Sequence, residues 1–566
     1  MRHNLAYAPD AIAARPFASA TSDWLDPYGL WSVAPDSPIE SALDRHGAEV
    51  IAALEGRGGD DCAAARAIGR TLTAWVSDLR HVFESAVEQE QAAGAREDLA
   101  FAANDAVFEG ATVTRPARAL AKLLAQRVHA VEGGLGAAAE PYGLAARTRY
   151  FPPLDEVEWA RVVLAAAVRA YVQMIDPHGA WAPLDEEASV YEVDLEARPP
   201  ERLWDKSSRT ALGLRIDSGA LAPLRSGDVL LSLAGIATAA MPLDQLEQLA
   251  YATTESKTAQ QAVVLRGGER EPRTLVIERG ARAHADVSES APPVSDEESD
   301  DLAVERIAFG DGDAVVVPIH DVRDDLGEEL TRALLRERER EGRAIVGVVL
   351  DLRGNGGGST DGAIAALGLF LPGAPLFPMR RRDGSLETDR APEPPNVDRW
   401  DGPVATLVDS ETASAAEMIA GALTAYRRGP SVGATTFGKG CAQEYLDDAA
   451  RTGVLRLTTL LYALPDGTAV QRIGLTPTIH VPFAPQPGDA PREREALLPH
   501  APPTWRGPDV RDKSRSPFVD LASWRASWPP HGGSVGPCKD PDVCRALRAL
   551  GAKAPSKRIA KVPPSP

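Results

Sequence analysis

Apolar residues change their spacing along the chain, and each change marks a region with its own predicted structure. Between about residues 38 and 175, Ala, Leu and Val recur at helical spacing, most regularly over 117–130 and 157–174. Between about 195 and 280 the apolar runs are short and bounded by glycines, as at 262–266, which is typical of strands. The pattern therefore predicts a helical domain followed by a β domain.

From about residue 303 onward the apolar runs become almost uninterrupted by polar residues. The runs lie at 313–319, 344–350 and 404–408. Such runs predict strands that are covered on both faces, as in parallel sheets. Helical patterns at 326–340 and 413–426 separate the runs, so the region to about 485 is predicted to alternate strand and helix.

Together these patterns predict a multidomain α+β protein. The predicted regions are an N-terminal segment with a helical domain (1–190), a β domain (195–282), an acidic linker (283–302), a βα core (303–485) and a Pro-rich, basic tail (486–566). The tail is expected to be poorly ordered, because its composition offers little apolar surface to bury.

The composition of the chain argues against some classes of binding partner. A net charge of −20 argues against nucleic acid or an anionic membrane surface as the main partner. No apolar run reaches the ~18 residues that a membrane-spanning helix needs. The first ten residues also lack the apolar stretch of a signal peptide. The oligomeric state is left open by the sequence.

Candidate chemistry lies in the predicted βα core. Ser414 follows the strand 404–408, Lys439 is flanked by glycines, and 354–358 forms a Gly-rich turn after the strand 344–350. A serine hydroxyl needs a base to take its proton, and a lysine serves as that base only in its neutral form. Backbone N–H groups of a turn or of a helix start can stabilise an oxyanion. These parts predict an acyl-transfer site.

The same residues admit two other interpretations. Ser414 and Glu417 fit the S-x-x-E capping box, which begins many helices without any catalytic role. Residues 433–439 spell G-x-x-x-x-G-K, the start of a phosphate-binding loop. The required Ser or Thr is replaced by Gly440, and a strand rather than a helix is predicted downstream, so a nucleotide hydrolase is disfavoured.

Taken in order and at this spacing, the three motifs resemble those of the carboxy-terminal processing (tail-specific) peptidases. The resemblance spans roughly 150–485 and implies a serine endopeptidase with a Ser/Lys dyad, a PDZ-like domain and a crotonase-like core. It also implies protein or peptide substrates with flexible, apolar C-termini, no cofactor and no metal. A catalytically degenerate PDZ-type peptide-binding protein is the alternative.

The resemblance assigns roles residue by residue. The catalytic residues it implies are Ser414 as nucleophile, Lys439 as general base and Gln443 as support for the lysine. The oxyanion donors are Gly357 and Ala415, and the substrate-binding residues are Leu212, Gly213 and Leu214, which would form a carboxylate-binding loop and an edge strand. Ala425 stands where many members carry an aspartate, which puts a carboxylate at the site in doubt.

Other candidate residues are given structural or open roles. His178, in an Asp-Pro-His turn, is interpreted as structural because no acid partner is visible in the sequence. Cys538 and Cys544 either form a small disulfide loop or remain thiols. The family resemblance implies a periplasmic or extracellular location, although no signal peptide is visible.

Overall fold

A computed structural model gives the fold of most of the chain. It describes residues 12–57, 63–93, 115–184, 190, 203–210, 213–256, 258–266, 269, 271–277, 302–447, 452–483, 494–512 and 535–551. Nearly all of the predicted acidic linker and the predicted substrate-binding residue Leu212 lie outside the described residues. The chain is a mixture of helix and sheet, as predicted.

Six helices lie in the described part of the N-terminal domain. They are α1 (Ala14–Leu25), α2 (Ile39–Leu54), α3 (Ala63–Ala93), α4 (Ala117–Leu135), α5 (Glu140–Tyr150) and α6 (Glu156–Ile175). Helix α6 begins with a capping box, because Asp155 accepts the N–H of Glu158 at 2.9 Å while the Glu158 carboxylate accepts the N–H of Asp155 at 2.8 Å. Trp31 packs edge-on against Trp159 in the shared core.

The β domain is built from a five-stranded path of antiparallel strands. Its elements are β2 (Lys206–Arg209), β3 (Leu214–Ser218), β4 (Val229–Leu233), β5 (Ile236–Ala237), α7 (Leu243–Glu255), β6 (Gln260–Leu265) and β7 (Arg273–Ile277). The strand order is β2-β3-β4-β6-β7, and β5 pairs with β4. Val229, Leu231, Ala239 and Leu265 pack into the core of the helical domain, so the two domains share buried surface.

The βα core contains a six-stranded sheet. Its strands are β8 (Glu305–Phe309), β9 (Gly312–Pro318), β10 (Ile345–Asp351), β13 (Val404–Val408), β14 (Ser431–Gly433) and β17 (Ile479–His480), in the order β17-β14-β13-β10-β9-β8. All neighbouring pairs are parallel except β8 with β9. The predicted runs at 313–319, 344–350 and 404–408 are therefore central strands of one sheet.

Different helices cover the two faces of this sheet. Val315 and Leu350 pack against α8 (Leu326–Glu339), α9 (Thr360–Gly368) and α10 (Ala415–Ala425). Alternate residues such as Val316 and Val349 point the other way, onto a cluster that includes the C-terminal helix α11 (Pro541–Gly551). Successive residues of a strand face opposite sides, so each run had to be apolar throughout.

Helix α11 corrects the expectation of a poorly ordered tail. Its Val543, Ala546, Leu547 and Leu550 are buried against the core sheet. A disulfide joins Cys538 and Cys544 at the start of the helix. Residues 494–512 are also described and lie against the core, where Gln471 bonds Glu495 and Pro502. These four residues give the helix an apolar face that packs on the sheet, although the tail as a whole is rich in polar residues.

A second sheet brings together distant parts of the chain. Its strands are β1 (Ala180–Pro183), β11 (Pro375–Arg381), β12 (Leu386–Arg390), β15 (Cys441–Asp447) and β16 (Gly453–Tyr462). Strand β16 pairs with β15 along one edge and with β1 and β11 along the other. The helical domain is thus joined through β1 to the sheet that follows Lys439.

Within the described ranges, every helix is too short or too polar to cross a lipid bilayer.

We expect Leu547→Ala to destabilise the core by about 2–5 kcal/mol, because it removes a fully buried side chain between α11 and the sheet. The measurement is the free energy of unfolding in urea, followed by tryptophan fluorescence. Leu497→Ala is the matched control, since Leu497 is 69% exposed and its loss should change stability by less than about 0.5 kcal/mol. Equal effects of the two changes would contradict the packing of α11.

Candidate active site

Ser414 lies at a sharp turn between β13 and α10. Its backbone has φ 52° and ψ −120°, a conformation that a residue with a side chain rarely adopts. Such a conformation costs of order 1–3 kcal/mol and persists only where neighbouring groups hold it. A serine on a strained turn from strand to helix is the geometry of a nucleophile elbow.

One carboxylate holds the main chains of the predicted nucleophile and base together. Glu417 Oε2 accepts the N–H of Ser414 at 3.0 Å and the N–H of Lys439 at 2.8 Å. The other oxygen, Oε1, accepts the N–H of Gly438 at 2.9 Å and the hydroxyl of Thr436. Because both main-chain nitrogens bond the same oxygen, Ser414 and Lys439 lie side by side.

The Glu417 carboxylate is fully buried, and this shifts its titration. Burial raises the pKa of the carboxyl to about 7, and the hydrogen bonds from Thr436, Lys439, Gly438 and Ser414 oppose part of that rise. The protonated and ionised forms of the carboxyl therefore both occur near neutral pH.

A tyrosine makes a second bridge between the same two main chains. The hydroxyl of Tyr462, at the end of β16, lies 2.8 Å from the carbonyl oxygen of Lys439 and 3.2 Å from that of Ser414, so its single proton is shared between the two acceptors. Burial raises the pKa of Tyr462 well above its usual value, so the hydroxyl keeps its proton and remains a donor. Ser414 and Lys439 are thus fixed through both their N–H and their C=O groups.

The Gly-rich turn lies directly beside the nucleophile. A Cβ on Gly357, whose φ is 112°, would lie 2.7 Å from the Cβ of Ser414, so only glycine fits. The N–H of Gly357 donates to Asn355 Oδ1 at 2.8 Å. Gly357, the predicted oxyanion donor, therefore lies next to Ser414, and its N–H is engaged by Asn355.

Ala415, the other predicted donor, is the first residue of α10. The first N–H groups of a helix have no acceptor within the helix and lie at the positive end of its dipole. Its position immediately after Ser414 suits an oxyanion that forms on a carbonyl attacked by that serine.

Gln443 lies on β15, and a chain of polar contacts fixes its side chain. Its amide nitrogen donates to Thr458 Oγ1 at 3.0 Å, and the Thr458 hydroxyl donates to Asp176 at 2.9 Å. The same amide nitrogen is 3.6 Å from the Cys441 sulfur. Both of these contacts use the nitrogen, which leaves the amide oxygen as the atom that could accept from a lysine ammonium.

The residues that surround Ser414 and Lys439 lie within a segment with known relatives. A family model described as Peptidase family S41 matches residues 314–481. The chain carries an S41 peptidase domain. The resemblance to carboxy-terminal processing peptidases is thereby confirmed, and Gly357, Ser414, Lys439 and Gln443 all fall inside the matched segment.

Named relatives agree with this assignment. The chain is 38% identical over 144 residues to a "Carboxy-terminal-processing protease" of Bartonella bacilliformis, and the match covers 24% of this chain and 31% of that protein. It is 29% identical over 245 residues to the "Carboxy-terminal processing protease CtpA" of Bacillus subtilis, covering 42% of this chain and 49% of that protein. The matches therefore span only 31% and 49% of the length of these relatives.

A solved structure titled "Photosystem II D1 C-terminal processing protease" is also similar, with 18% identity and a TM-score of 0.35. The similarity covers 71% of this chain and 93% of that one.

The S41 domain places a carboxylate at the site although position 425 is alanine. Ala425 is the last residue of α10, about 16 Å along the helix axis from Ser414 at 1.5 Å per residue. A side chain there lies far from Lys439. Glu417, one turn from Ser414, places a carboxylate against the main chains of Ser414 and Lys439, although its sequence pattern indicates only a helix cap.

The structure also supplies the acid partner that His178 lacked in the sequence. His178 Nε2 lies 2.9 Å from Glu495 Oε2, and Glu495 is fully buried. His178 was interpreted as structural because no acid partner was visible, and that reason is wrong, since Glu495 is such a partner. Glu495 lies in the tail that was expected to be poorly ordered, 317 residues away in sequence.

Gly213 and Leu214, the two predicted substrate-binding residues that the structure describes, belong to the β domain, and one expectation about them is wrong. Strand β3, which begins at Leu214, pairs with β2 on one side and β4 on the other, so it is not an edge strand. Gly213 precedes β3, and a Cβ there would lie 2.1 Å from the Leu230 carbonyl. The apolar pattern predicted the strand correctly but carried no information on its neighbours.

The phosphate-loop interpretation of 433–439 is excluded by the structure that follows Lys439. Strand β15 begins at Cys441, whereas the motif requires a helix. The N–H of Gly440 donates to Gln471 Oε1 at 2.8 Å, so it does not face a phosphate.

Glu417 should make stability depend on pH in a predictable direction. The folded pKa, about 7, exceeds the ordinary 4.5, so the unfolded state releases its proton first as pH rises. We expect Glu417 to lower the stability of the wild-type S41 domain progressively from about pH 4.5 to about pH 7, by about 3 kcal/mol in total, with no further change above pH 7.

The measurement is the difference in unfolding free energy between wild type and Glu417→Gln at several pH values. The introduced glutamine side chain does not titrate, so the advantage of wild type should shrink as pH rises towards 7. A constant difference from pH 4.5 to 7 would contradict the shifted titration. Glu411→Gln, at a partly exposed site on the same turn, is the control.

Proposed function

We propose that the protein is a serine endopeptidase in which Ser414 is the nucleophile and Lys439 is the general base. The single observation that carries the proposal is the Glu417 carboxylate oxygen that accepts both main-chain N–H groups. A capping box alone needs only the bond to Ser414. The second bond, to Lys439 25 positions later, places the main chain of the proposed base beside that of the proposed nucleophile.

The proposed reaction proceeds in two stages through an acyl-enzyme. Ser414 Oγ attacks the carbonyl carbon of the scissile peptide bond while Lys439 Nζ takes the hydroxyl proton. The tetrahedral intermediate collapses, the C–N bond breaks, and the leaving amine receives the proton from Lys439. Water then attacks the ester, and Lys439 takes a proton from water and returns it to Ser414 Oγ. No cofactor enters either stage.

Oxyanion stabilisation falls to the N–H groups of Ala415 and Gly357. Losing one such donor typically costs 10²–10³-fold in rate. The Gly357 donor is available once its bond to Asn355 Oδ1 is shared or released. Gln443, positioned through Thr458, would accept from Lys439 with its free amide oxygen and so orient the base.

Substrate selection is proposed to lie in the PDZ-like domain (195–282), which would bind flexible, apolar C-terminal tails along β3 after β2 has moved aside. The relatives are named for C-terminal processing, which supports this choice. In the present conformation β2 occupies the outer edge of β3. Gly213 lines a small cavity together with Tyr28 and Tyr150. The cavity has a volume of about 10 Å³, which is enough for about one water molecule.

A peptide-binding protein without catalysis is the alternative. It is supported by the hydrogen bond that occupies the Gly357 N–H, which leaves that group without a role in stabilising an oxyanion.

The proposed location is the periplasm or cell surface. The Cys538–Cys544 disulfide supports it, because disulfides persist in oxidising compartments.

We expect Ser414→Ala and Lys439→Ala each to abolish cleavage of an unstructured protein substrate, and the double variant to be no worse than either single one. Lys439→Arg should be equally inactive, because arginine does not release its proton in this pH range. The measurements are cleavage at pH 8 and labelling by a fluorophosphonate probe, which phosphonylates an activated serine with loss of fluoride.

Ser410→Ala is the matched control, four residues before the nucleophile, and should retain both cleavage and labelling. Near wild-type cleavage by Lys439→Ala would exclude the dyad. A wild-type protein that binds tail peptides but neither cleaves nor labels would favour the peptide-binding alternative.

We expect a peptide with a free, apolar C-terminus to have a lower KM than the same peptide amidated. Ser208→Pro should lower the KM of the free-acid peptide further, because proline removes an N–H from β2 and opens the edge of β3. Lys206→Pro is the control, at the first residue of β2, where a proline is tolerated. Identical KM values for both peptides in all three proteins would exclude recognition of the terminus by this domain.

A further inference from the structure

Three side chains of different chemistry meet beside the base, although they come from distant parts of the chain. His178 lies in the turn after α6, Cys441 begins β15, and Glu495 belongs to the segment 494–512. One ligand atom from each, a ring nitrogen, the sulfur and a carboxylate oxygen, all lie within 4.8 Å of one another. Cys441 and Glu495 are buried, and the His178 side chain is 15% exposed.

We propose that His178, Cys441 and Glu495 form a binding site for a zinc-type divalent cation. Nitrogen, thiolate and carboxylate are the ligand types that zinc takes in proteins, at about 2.0–2.3 Å. In a tetrahedral site these bond lengths place the ligand atoms about 3.3–3.8 Å apart. The separation of 2.9 Å between His178 Nε2 and Glu495 Oε2 and the overall span of 4.8 Å bracket that range. A water would complete the four ligands.

The supporting contacts of the three ligands are already in place. Glu495 Oε1 accepts the side-chain amide of Gln471 at 2.6 Å, so Oε2 is the oxygen that faces the other ligands. The main chain of His178 is held through its N–H by Asp176 at 3.0 Å and through its carbonyl by Arg456 at 3.2 Å. Contacts of this kind orient metal ligands and strengthen their affinity.

Charge and protons balance at the proposed site. A glutamate and a thiolate supply two negative charges, which match a dication. Binding replaces the S–H bond by a bond from sulfur to the metal, and the proton leaves to solvent. The partly exposed His178 side chain marks the path of entry.

The cation would fasten three segments of the chain to one point. Cys441 is two residues after Lys439, and the other two ligands come from the helical domain and from the C-terminal segment. A hydrogen bond between His178 and Glu495 explains why these two residues lie together, but it does not explain why the Cys441 thiol lies at the same place. The site is structural in this proposal, so it stands or falls independently of the proteolytic activity.

The experiment is a titration of the full chain with Zn²⁺ and with Co²⁺ after treatment with a chelator. It is done without air and without a reductant, so that the Cys538–Cys544 disulfide stays closed and supplies no competing thiols. We expect one equivalent of Zn²⁺ to bind, in competition with a chromophoric chelator, and Co²⁺ to give an absorption band from charge transfer by a thiolate. Bound Zn²⁺ should raise the melting temperature, while Mg²⁺ should not.

Cys441→Ser, His178→Gln and Glu495→Gln should each weaken binding by at least about 100-fold, since even outer contacts of a metal site are worth 10–100-fold. Cys62→Ser and His320→Ala are the matched controls and should bind like wild type. Binding that survives in Cys441→Ser overturns the proposal. If the variants fail to fold, the wild-type protein still decides it, because Co²⁺ binding without the thiolate band overturns it as well.

Discussion

A single buried carboxylate determines the geometry of this site. Glu417 is fully buried, no cation is hydrogen-bonded to it among the described contacts, and it accepts three N–H groups and one hydroxyl. Burying a charge without such partners would be prohibitive, so the carboxyl is tolerated only where the main chains of Ser414 and Lys439 both supply donors. The cost of burial is visible as the pKa of about 7.

Two residues join the main chains of Ser414 and Lys439, and one of them lies on a helix while the other lies on a strand. Glu417 belongs to α10, the helix that begins after Ser414, and Tyr462 belongs to β16, the strand that pairs with the one after Lys439. Glu417 therefore bonds Lys439 from the helix that follows Ser414, and Tyr462 bonds Ser414 from the strand that pairs with the one after Lys439. The same bonds hold the strained backbone of Ser414 in place. They involve only main-chain atoms of Ser414 and Lys439, so the side chains of these two residues take no part in them.

The sequence predicted parts of this arrangement that depend on local pattern. The central strands and the positions of Ser414 and Lys439 follow from apolar runs and from motif spacing. Glu417 was visible in the sequence, but S-x-x-E says nothing about a second partner at Lys439. Helix α11 was hidden because four apolar residues are a small part of a polar tail, and the pairing of β3 with β2 depends on register, which an apolar pattern does not encode.

Separate contacts hold the proposed dyad and the proposed oxyanion donor Gly357, so the donor can change its bonding while the dyad keeps its position. The main-chain carbonyl of Asn355 accepts the N–H of Ala413 at 2.9 Å and so supports the turn at Ser414. The side-chain oxygen of the same residue is the group that occupies the Gly357 N–H. Rotation of the Asn355 side chain would therefore free Gly357 and leave the support of Ser414 intact. It would also break the 2.8 Å bond from the Asn355 amide to the Ile319 carbonyl, at the end of β9. Release of the oxyanion donor is thus coupled to the core sheet rather than to the dyad.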